Sequence, residues 1–430
     1  MINTAIRAVL PVWRTVPNRT LCRDAGLPTA GLALKEVRLR FALRLKTVDE
    51  KHPLAVGTQV PLISTGSKRG TPHRLRTRLQ VSANALDAVA RPTLAGPRYT
   101  LGSRINPTGG LDKNKAAKAF MQWFKAQGPG DLTVFSDGSK GEDGIGYGYV
   151  VYRGWEAEPV CSGRASLDGK SVVYDAEVIG ACRGLQAACA VAEPDDEITV
   201  CLDNTAAIWG LRGQAALSSR WAFQAFHELA DQRRNGVQVR WCPGHKGIDG
   251  NELADKLAKE GQKADPDPDA GPTIAGIRAQ ARRLLRAQKE VQWNQVQDGL
   301  SSRYKSWHLD YNLRCPEELG LPRPMLQKYL AIRTGHGDFA WYHRKFKHDD
   351  AELDCSACRR AKTPEHIVFC RKTTGRRTFD EWPWPGDRER RYPDTPTEKH
   401  RYLADLIETP TAFKDFLGAT GTLTLQGEGD

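Results

Sequence analysis

The segment that most constrains the fold is residues 131–261, in which short apolar runs alternate with amphipathic ones. Three strand-like runs come first, and two more follow that are separated by helical stretches. A meander followed by strands joined through helices is typical of a mixed α/β sheet. The order therefore predicts a five-stranded mixed sheet flanked by helices.

Four acidic residues occupy related places in this segment. Asp137 ends the first apolar run and is followed by a Gly-Ser turn, and Asp203 ends the fourth strand-like run. Glu177 and Asp255 lie on amphipathic helical stretches. Carboxylates gathered at one end of a sheet repel one another unless cations lie between them. Each acid alone is more often a solvated surface charge, but the four together predict a site for hard metal ions.

The motifs around these acids carry a family resemblance. They are Ser136-Asp-Gly-Ser, Asp175-Ala-Glu, Leu202-Asp-Asn and Gly244-His-Lys-Gly-Ile-Asp-Gly-Asn-Glu-Leu-Ala-Asp255. In order and spacing they resemble ribonuclease H type 1, in the variety found in polyproteins of non-LTR retrotransposons of fungal type. The resemblance covers about a third of the chain. It implies a ribonuclease H-like fold and a metal-dependent endonuclease that cuts the RNA strand of RNA/DNA hybrids, leaving 5′-phosphate and 3′-hydroxyl ends.

The resemblance also implies roles for the acids at matching positions. Asp137 would bridge two Mg²⁺ ions, for which Mn²⁺ can substitute. Glu177 and Asp203 would complete one metal site, and Asp255 would help to hold the other. His245 matches a loop histidine that is thought to assist proton transfer and product release, although a lone loop histidine is usually only solvated.

Three small residues match positions that read the 2′-hydroxyl of the RNA strand. They are Gly138, Ser139 and Asn204. The 2′-hydroxyl is the feature that distinguishes RNA from DNA at a cleavage site. Turn and helix-capping chemistry explains Ser139 and Asn204 at least as well, so both interpretations stay open.

Charge is divided unevenly along the chain. Residues 1–130 hold 22 Lys and Arg against 6 Asp and Glu, whereas residues 131–261 hold 13 against 20. A basic arm beside an acidic block suits an enzyme that acts on a polyanion such as an RNA/DNA hybrid. Solubility charge on a disordered arm is the alternative.

The residues before the acidic block divide into two predicted segments. Residues 1–54 form a basic helical segment, with apolar residues at Leu34, Val37, Phe41 and Leu45 of its clearest helix. This segment resembles, loosely, the region between polymerase and ribonuclease H domains of fungal non-LTR reverse transcriptases. The chain has no Tyr/Phe-x-Asp-Asp polymerase signature. Residues 55–130 read as a basic linker that ends in a helix over 114–127.

The residues after the block form a linker, 262–272, and a helical region, 273–430. That region contains the spacing Cys355-x2-Cys358-x7-His366-x3-Cys370. Three cysteines and a histidine are suitable ligands for tetrahedral Zn²⁺, and a similar element follows ribonuclease H in related retroelement proteins. A structural zinc element over 355–370 is the prediction, with ordinary buried or solvated residues as the alternative.

The connection between two predicted helices departs from the family pattern. Some members carry a basic helical protrusion that grips the hybrid, but only residues 212–217 join the helices here. Affinity for the hybrid would then depend on the basic flanks.

The location and two competing functions follow from the same features. The scattered cysteines suit a reducing compartment, and no apolar run reaches the length of a membrane span, so we expect an intracellular, nuclear protein without a membrane partner. A non-catalytic nucleic-acid-binding remnant of a retrotransposon is one alternative. A transposase or integrase is another, but such enzymes typically use three acids rather than four. The oligomeric state does not follow from the sequence.

Overall fold

The computed structural model describes residues 2–59, 77–92, 98, 100–309, 315–370 and 393–420. The chain divides into two compact units. The central unit comprises residues 36–285, and the terminal unit comprises residues 1–35 together with 286–430. This division falls within the predicted segment 1–54 and within the predicted region 273–430. Most of the basic stretch at residues 67–78 lies outside the described residues. The Arg/Pro-rich stretch that begins at residue 374 lies partly outside them.

Helices precede the sheet. They are α1 (Ile2–Val9), α2 (Asn18–Asp24), α3 (Ala30–Thr47), α4 (Pro53–Gln59), α5 (Arg78–Ala83) and α6 (Lys113–Lys125), with a 3-10 helix at Leu101–Arg104. Helix α6 begins at an N-cap, because the Asp112 side chain accepts hydrogen bonds from the Asn114 and Lys115 amides. The helix predicted at 114–127 is therefore confirmed, although the surrounding range 55–130 also contains α4 and α5.

Five strands form one mixed sheet. They are β1 (Leu132–Gly141), β2 (Gly144–Arg153), β3 (Cys161–Leu167), β4 (Ile198–Leu202) and β5 (Val237–Trp241). Their order across the sheet is β3-β2-β1-β4-β5. Strands β1, β2 and β3 pair antiparallel, and β4 pairs parallel with both β1 and β5. The predicted five-stranded mixed sheet flanked by helices is confirmed.

Helices cover both faces of the sheet. The remaining helices of the central unit are α7 (Val173–Val191), α8 (Thr205–Arg212), α9 (Arg220–Gln232), α10 (Asp249–Gly261) and the first half of α11 (Ile274–Gln297). Consecutive strand residues face opposite sides, so Val134 packs with α7, α8 and α9 while Phe135 packs with α6 and α10. Each face thus has its own apolar core, and the sheet is buried on both sides.

Two glycines of β2 allow α10 to lie directly on the sheet. A Cβ atom at Gly146 would lie 2.4 Å from the Gln262 amide nitrogen, and one at Gly148 would lie 2.4 Å from that of Ala258. No side chain fits in that space, so the glycines bring the backbone of α10 against β2. This contact positions the helix that carries Asp255.

The residues predicted as the linker 262–272 are bound to the central unit. Asp267 is buried, and its carboxylate pairs with the Arg183 guanidinium at 2.7 Å. The Tyr147 hydroxyl donates a second hydrogen bond to it, also at 2.7 Å. Because a buried carboxylate needs such partners, this segment continues the packed domain.

The buried face of α3 differs from the prediction. Leu34 and Val37 are 70% and 63% exposed, whereas Leu39, Ala42 and Leu45 are buried. Both sets have helical spacing, and the arginines between them do not distinguish one face from the other. The predicted helix is present, and of the four apolar residues that marked its periodicity only Leu45 is buried.

The terminal unit is built from both ends of the chain. Its later helices are α12 (Ser302–Lys305), α13 (Arg323–Thr334), α14 (Ala340–Phe346), α15 (Pro364–Phe369), α16 (Pro396–Glu408) and α17 (Pro410–Thr420), with a 3-10 helix at Glu317–Gly320. Ile6 and Leu21 share one apolar core with Tyr329, Leu406 and Phe413. None of the described helices has the length and hydrophobicity of a transmembrane span.

A buried charge network joins the two ends of the chain within this unit. The Arg333 guanidinium lies 2.7 Å from the Asp24 carboxylate and 2.7 Å from that of Glu318. The Tyr304 hydroxyl donates to Asp24 at 2.6 Å. Since an unpaired buried charge is strongly unfavourable, the network requires α2 and α13 to fold together.

Candidate active site

The register of the sheet places two of the predicted acids side by side. Strands β1 and β4 are parallel, and Phe135 pairs with Cys201. Asp137 and Asp203 each follow two residues later, so both reach the same edge of the sheet. The carboxyl end of β4 thus meets the middle of the longer strand β1, as the apolar runs before each acid predicted.

Glu177 reaches the same place from α7. One carboxylate oxygen each of Asp137, Glu177 and Asp203 lies within 4.8 Å of the other two. Glu177 is buried, while Asp137 and Asp203 are half-buried. These three predicted residues are therefore brought together.

The three carboxyl groups disfavour one another's ionisation. Burial raises the pKa of Asp137 to about 7, and the Asp203 charge adds to this rise. Burial and the charges of Asp137 and Asp203 hold the pKa of Glu177 well above its usual range. Burial also raises the pKa of Asp203, against the opposing charges of His245 and Lys113. A divalent cation would reverse these shifts, because it stabilises the ionised forms.

The donor set fits a hard cation. Oε2 of Glu177 is buried and has no hydrogen-bond partner among the described residues. An ionised carboxylate oxygen only accepts, so a buried one without a donor is costly unless a cation contacts it. Oxygen ligands from carboxylates are those that Mg²⁺ prefers. The residues present therefore fit the predicted magnesium site.

Asp255 lies beside this cluster rather than within it. Its charge and a shared hydrogen bond contribute to the raised pKa of Asp137, after burial and the Asp203 charge. One oxygen of Asp255 is held by the Lys259 ammonium at 2.7 Å, one helical turn later. The Lys259 side chain is exposed, so this ion pair is weak. Asp255 is thus near Asp137 but is paired with a lysine.

Gly138, Ser139 and Asn204 have structural partners. The Gly138 amide donates to Asp137 Oδ1 at 2.8 Å, and Ser139 Oγ accepts from Gln262 Nε2 at 2.9 Å. Oδ1 of Asn204 caps α8 by accepting from the Ala206 and Ala207 amides. The structure therefore shows the helix-capping role of Asn204. Recognition of the 2′-hydroxyl by these residues stays a prediction.

His245 lies on the loop before α10. It is exposed and has a φ of 57°, in the left-handed region that few non-glycine residues adopt. Its charge lowers the pKa of Asp203, so the two side chains are close enough to interact. The preceding residue must be glycine, because a Cβ atom at Gly244 would lie 2.2 Å from Asp203 Oδ2. The loop therefore closes over the third acid.

Asp175 is a positioning residue that the sequence analysis missed. It is fully buried, and its carboxylate accepts hydrogen bonds from the Ser218, Ser219 and Thr273 hydroxyls at 2.6–2.8 Å. It also accepts from the Val172 amide, at the start of α7. These bonds fix the first turn of the helix that carries Glu177. The signal was its place in Asp175-Ala-Glu, two residues before the catalytic candidate.

The predicted zinc ligands come together in the terminal unit. Ligand atoms of Cys355, Cys358, His366 and Cys370 all lie within 4.8 Å of one another. The Cys370 sulfur lies 3.9 Å from that of Cys355 and 3.7 Å from that of Cys358. A tetrahedral ion with Zn–S bonds of about 2.3 Å separates its sulfur ligands by about 3.8 Å. The spacing therefore fits zinc, and all the cysteines of the chain are free thiols.

Comparisons with solved structures give likenesses that cover under a third of the chain. The N-terminal RNase H domain of a Mycobacterium tuberculosis protein is 21% identical, covers 31% of this chain and 94% of that one, and has a TM-score of 0.27. RNase H1 of the archaeon Halobacterium salinarum is 20% identical and covers 31% and 98%, with a TM-score of 0.26. LC11-RNase H1, solved in complex with an RNA/DNA hybrid, is 14% identical and covers 30% and 98%, with a TM-score of 0.27.

A family model identifies the central domain. The chain has no significant match among curated proteins. The model of the RNase H family, however, matches residues 129–263, which contain all five strands and the acidic cluster. This range agrees with the predicted domain at 131–261. Residues 129–263 are therefore an RNase H domain with the RNase H-like fold.

Proposed function

We propose that this protein is a metal-dependent endonuclease that hydrolyses the RNA strand of RNA/DNA hybrids. One observation carries the proposal: three carboxyl groups within 4.8 Å have raised pKa values, and a buried oxygen of Glu177 lacks a donor. A cluster of this kind is unfavourable for stability alone and is characteristic of a cation site. The RNase H family match at residues 129–263 supports the same conclusion.

The acids would divide between two ions. One Mg²⁺ would be held by Asp137, Glu177 and Asp203. The second would be held by Asp137 and Asp255, and binding it would require Asp255 to give up its ion pair with Lys259. Two Mg²⁺ ions bound here would supply an activated water and stabilise the leaving oxygen in an in-line displacement. Mn²⁺ has similar oxygen preferences and would substitute for Mg²⁺.

The other residues of the site would act on the substrate and on protons. His245, exposed beside Asp203, would carry a proton to or from the reacting phosphate and assist product release. The side chain of Asn204 caps α8 through Oδ1, and its interaction with Glu177 opposes the larger effect of burial on the pKa of that acid. We propose that Gly138, Ser139 and Asn204 recognise the 2′-hydroxyl from this fixed position.

Two further parts of the proposal concern the rest of the chain. We propose that Cys355, Cys358, His366 and Cys370 bind a structural Zn²⁺, since their ligand atoms lie within 4.8 Å of one another and are of the types that Zn²⁺ prefers. We also propose a retroelement origin and a nuclear location. The order of the RNase H motifs and the Cys/His element that follows them supports this origin.

The test is a cleavage assay on the full chain. We expect labelled RNA in an RNA/DNA hybrid to be cut with Mg²⁺ or Mn²⁺, and neither RNA duplexes nor DNA duplexes to be cut. EDTA and Asp137→Asn should each abolish cleavage, whereas Asp143→Asn, at an exposed acid paired with Lys263, should not. Binding of the hybrid without cleavage under either metal would instead favour the non-catalytic remnant.

A further inference from the structure

A segment outside the matched domain is fixed to helices α8 and α9. The Arg98 guanidinium forms two hydrogen bonds with the Asp231 carboxylate, at 2.8 and 2.5 Å. The Thr100 hydroxyl donates to the Arg212 carbonyl at 2.6 Å, and Arg212 donates to the Ile105 carbonyl at 3.3 Å. Residues 98–105 precede the RNase H match at residue 129. This segment therefore lies beside Gly213, where the connection that lacks a basic protrusion begins.

This arrangement encloses an open cavity of about 400 Å³. We call it the Arg104–Trp209 pocket. Residues from both parts of the chain line it: Arg98, Ser103 and Arg104 from the upstream segment, and Tyr174, Trp209 and Gln214 from the domain. Trp209 is 40% exposed, although it is a large apolar side chain. The pocket thus combines an aromatic wall with polar and cationic groups.

Arg104 is the cation of this pocket that remains available. Arg98 is neutralised by Asp231. Arg212 directs its guanidinium inward, where it donates to the Val239 carbonyl at 2.9 and 2.6 Å. Arg104 is exposed, and no carboxylate pairs with it in the described parts of the chain. An exposed arginine beside an aromatic ring suits a sugar and its phosphate, because guanidinium binds phosphate oxygens and the ring packs against the sugar.

The pocket adjoins the candidate active site. Tyr174 is three residues before Glu177 on α7, and side chains with this spacing lie about 5–6 Å apart at their Cβ atoms. Ala206, which also lines the pocket, donates its amide to Asn204 Oδ1 at 3.0 Å. Asn204 in turn lowers the pKa of Glu177 against the larger effect of burial, so the two side chains are close enough to interact. A polyanion with one phosphodiester at the carboxylate cluster would therefore pass the pocket within a short distance.

We propose that the Arg104–Trp209 pocket binds the sugar–phosphate backbone of the nucleic-acid duplex beside the cleaved bond, with Arg104 and Ser103 on a phosphate and Trp209 against a sugar. This subsite rests on the proposed function for its substrate. The upstream segment thereby supplies a grip on the duplex that the short α8–α9 connection does not provide.

The experiment measures hybrid binding by fluorescence anisotropy at several salt concentrations, using the full chain with Asp137→Asn to prevent cleavage. One phosphate contact contributes about 0.9 to the slope of log affinity against log salt, or about eightfold in affinity between 1 M and 0.1 M salt. We expect Arg104→Ala to remove that contribution. Trp209→Ala should weaken binding roughly fivefold with the slope unchanged, because it removes an apolar contact.

Arg234→Ala is the matched control. Arg234 is also an exposed arginine of the central unit, and it pairs with Asp195. Asp195 precedes β4, whereas Asp203 of the candidate active site follows that strand. The control residue therefore lies at the opposite end of the sheet, about 17 Å of strand away. With Asp137 restored, Arg104→Ala should raise KM and leave kcat nearly unchanged, as expected for a binding contact.

The outcomes separate this inference from the proposed function. If the native protein cuts the hybrid and Arg104→Ala binds as tightly as Arg234→Ala, the proposed binding role of the pocket is wrong and the proposed endonuclease activity is supported. If the native protein binds the hybrid without cutting it, and Arg104→Ala lowers both the affinity and the salt dependence, the binding role of the pocket is supported and the endonuclease activity is not. A native protein that neither binds nor cuts the hybrid overturns both.

Discussion

The backbone of Gly138 lies directly against that of Glu177: a Cβ atom at Gly138 would stand 2.8 Å from the Glu177 amide nitrogen. The same atom would lie 3.0 Å from the Val173 carbonyl oxygen. Both neighbours are helix backbone, which cannot move aside as a flexible side chain can. The absence of a side chain at Gly138 is what allows β1 and α7 to bring Asp137 and Glu177 together.

Gly138→Ala should therefore impair the site more than the fold. We expect a loss of about 1–3 kcal/mol in the free energy of unfolding, typical of overpacking, and a larger loss of cleavage because Glu177 moves away from Asp137. Gly169→Ala is the control, since no atom lies within 4 Å of a Cβ built there. Denaturant unfolding and hybrid cleavage would measure the two effects. Equal activity of the two variants would show that the close approach is unimportant.

Asp137→Asn should stabilise the metal-free protein while abolishing cleavage. The raised pKa of Asp137, about 7, means that the folded state binds this proton more tightly than the unfolded state. The native protein therefore loses folding free energy as the pH rises from about 4, where the unfolded carboxyl ionises, to about 7. In EDTA at pH 8 we expect the variant to be more stable by on the order of 2 kcal/mol. The difference should shrink as the pH falls and disappear only below about pH 4, where the carboxyl is protonated in the unfolded chain as well. Thermal unfolding across this pH range would measure this, and a variant that is less stable at pH 8 would contradict it.

Arg333→Met should strongly destabilise the terminal unit. The Arg333 side chain is 1% exposed, and its loss leaves the fully buried Asp24 carboxylate with only the more distant guanidinium of Arg23, at 3.6 Å, as a cation among the described residues. Breaking one partner of a buried ion pair typically costs about 3–5 kcal/mol. The double variant Asp24→Asn with Arg333→Met should be less destabilised than the sum of the single variants, because neither charge then remains. Denaturant unfolding would test this, with Arg344→Met, at an exposed arginine, as the control. Additive effects would argue against the network.

His336 should make the terminal unit sensitive to acid. Burial, with smaller effects of Lys345 and Arg7, lowers the pKa of His336 to about 4. The unfolded chain takes up the proton near pH 6.5, so stability should fall as the pH drops from about 6.5 to about 4. Replacement by Gln should flatten this dependence by on the order of 2 kcal/mol. Unfolding curves from pH 7 to pH 4 would measure it, and His308→Asn, at an exposed histidine, should leave the dependence unchanged. An equally steep dependence in both variants would assign it to other groups.

Chelation should destabilise the terminal unit if zinc is bound. We expect one zinc per chain by elemental analysis and a lower melting temperature after removal of the metal, because the binding free energy contributes to folding. Cys358→Ser should lose the zinc, whereas Cys315→Ser, at an exposed cysteine outside the cluster, should retain it. Purified protein without zinc and with an unchanged melting temperature after chelation would exclude the site.

The strands and helices of the central unit were predictable because their signals are local. Strand β5 was predicted at Val237–Trp241 and is found there, and the other boundaries differ by a few residues. The three acids Asp137, Glu177 and Asp203 were also predictable, since each follows a recognisable run within one element. Helix boundaries shifted where a cap decides them, as Asp112 does for α6.

The buried face of α3 could not be chosen correctly from its own sequence. Leu34 and Val37 have the same helical spacing as Leu39 and Ala42, and only the second pair is buried. A helix with apolar residues on more than one side presents several possible core faces. Its neighbours decide which one is covered, and those neighbours, such as Ile277, lie far away in the sequence.

The sequence by itself determined the mixed sheet, the succession of its strands along the chain and the carboxylates that reach one edge, because apolar periodicity and turn residues act over a few positions. Only the tertiary structure decided that Asp255 pairs with Lys259, that Asp267 binds residues 262–272 to the domain, and that the two chain ends share one core through Asp24 and Arg333. These contacts join residues on different turns, strands or ends of the chain. Their energies depend on burial and charge in three dimensions, which no local pattern records.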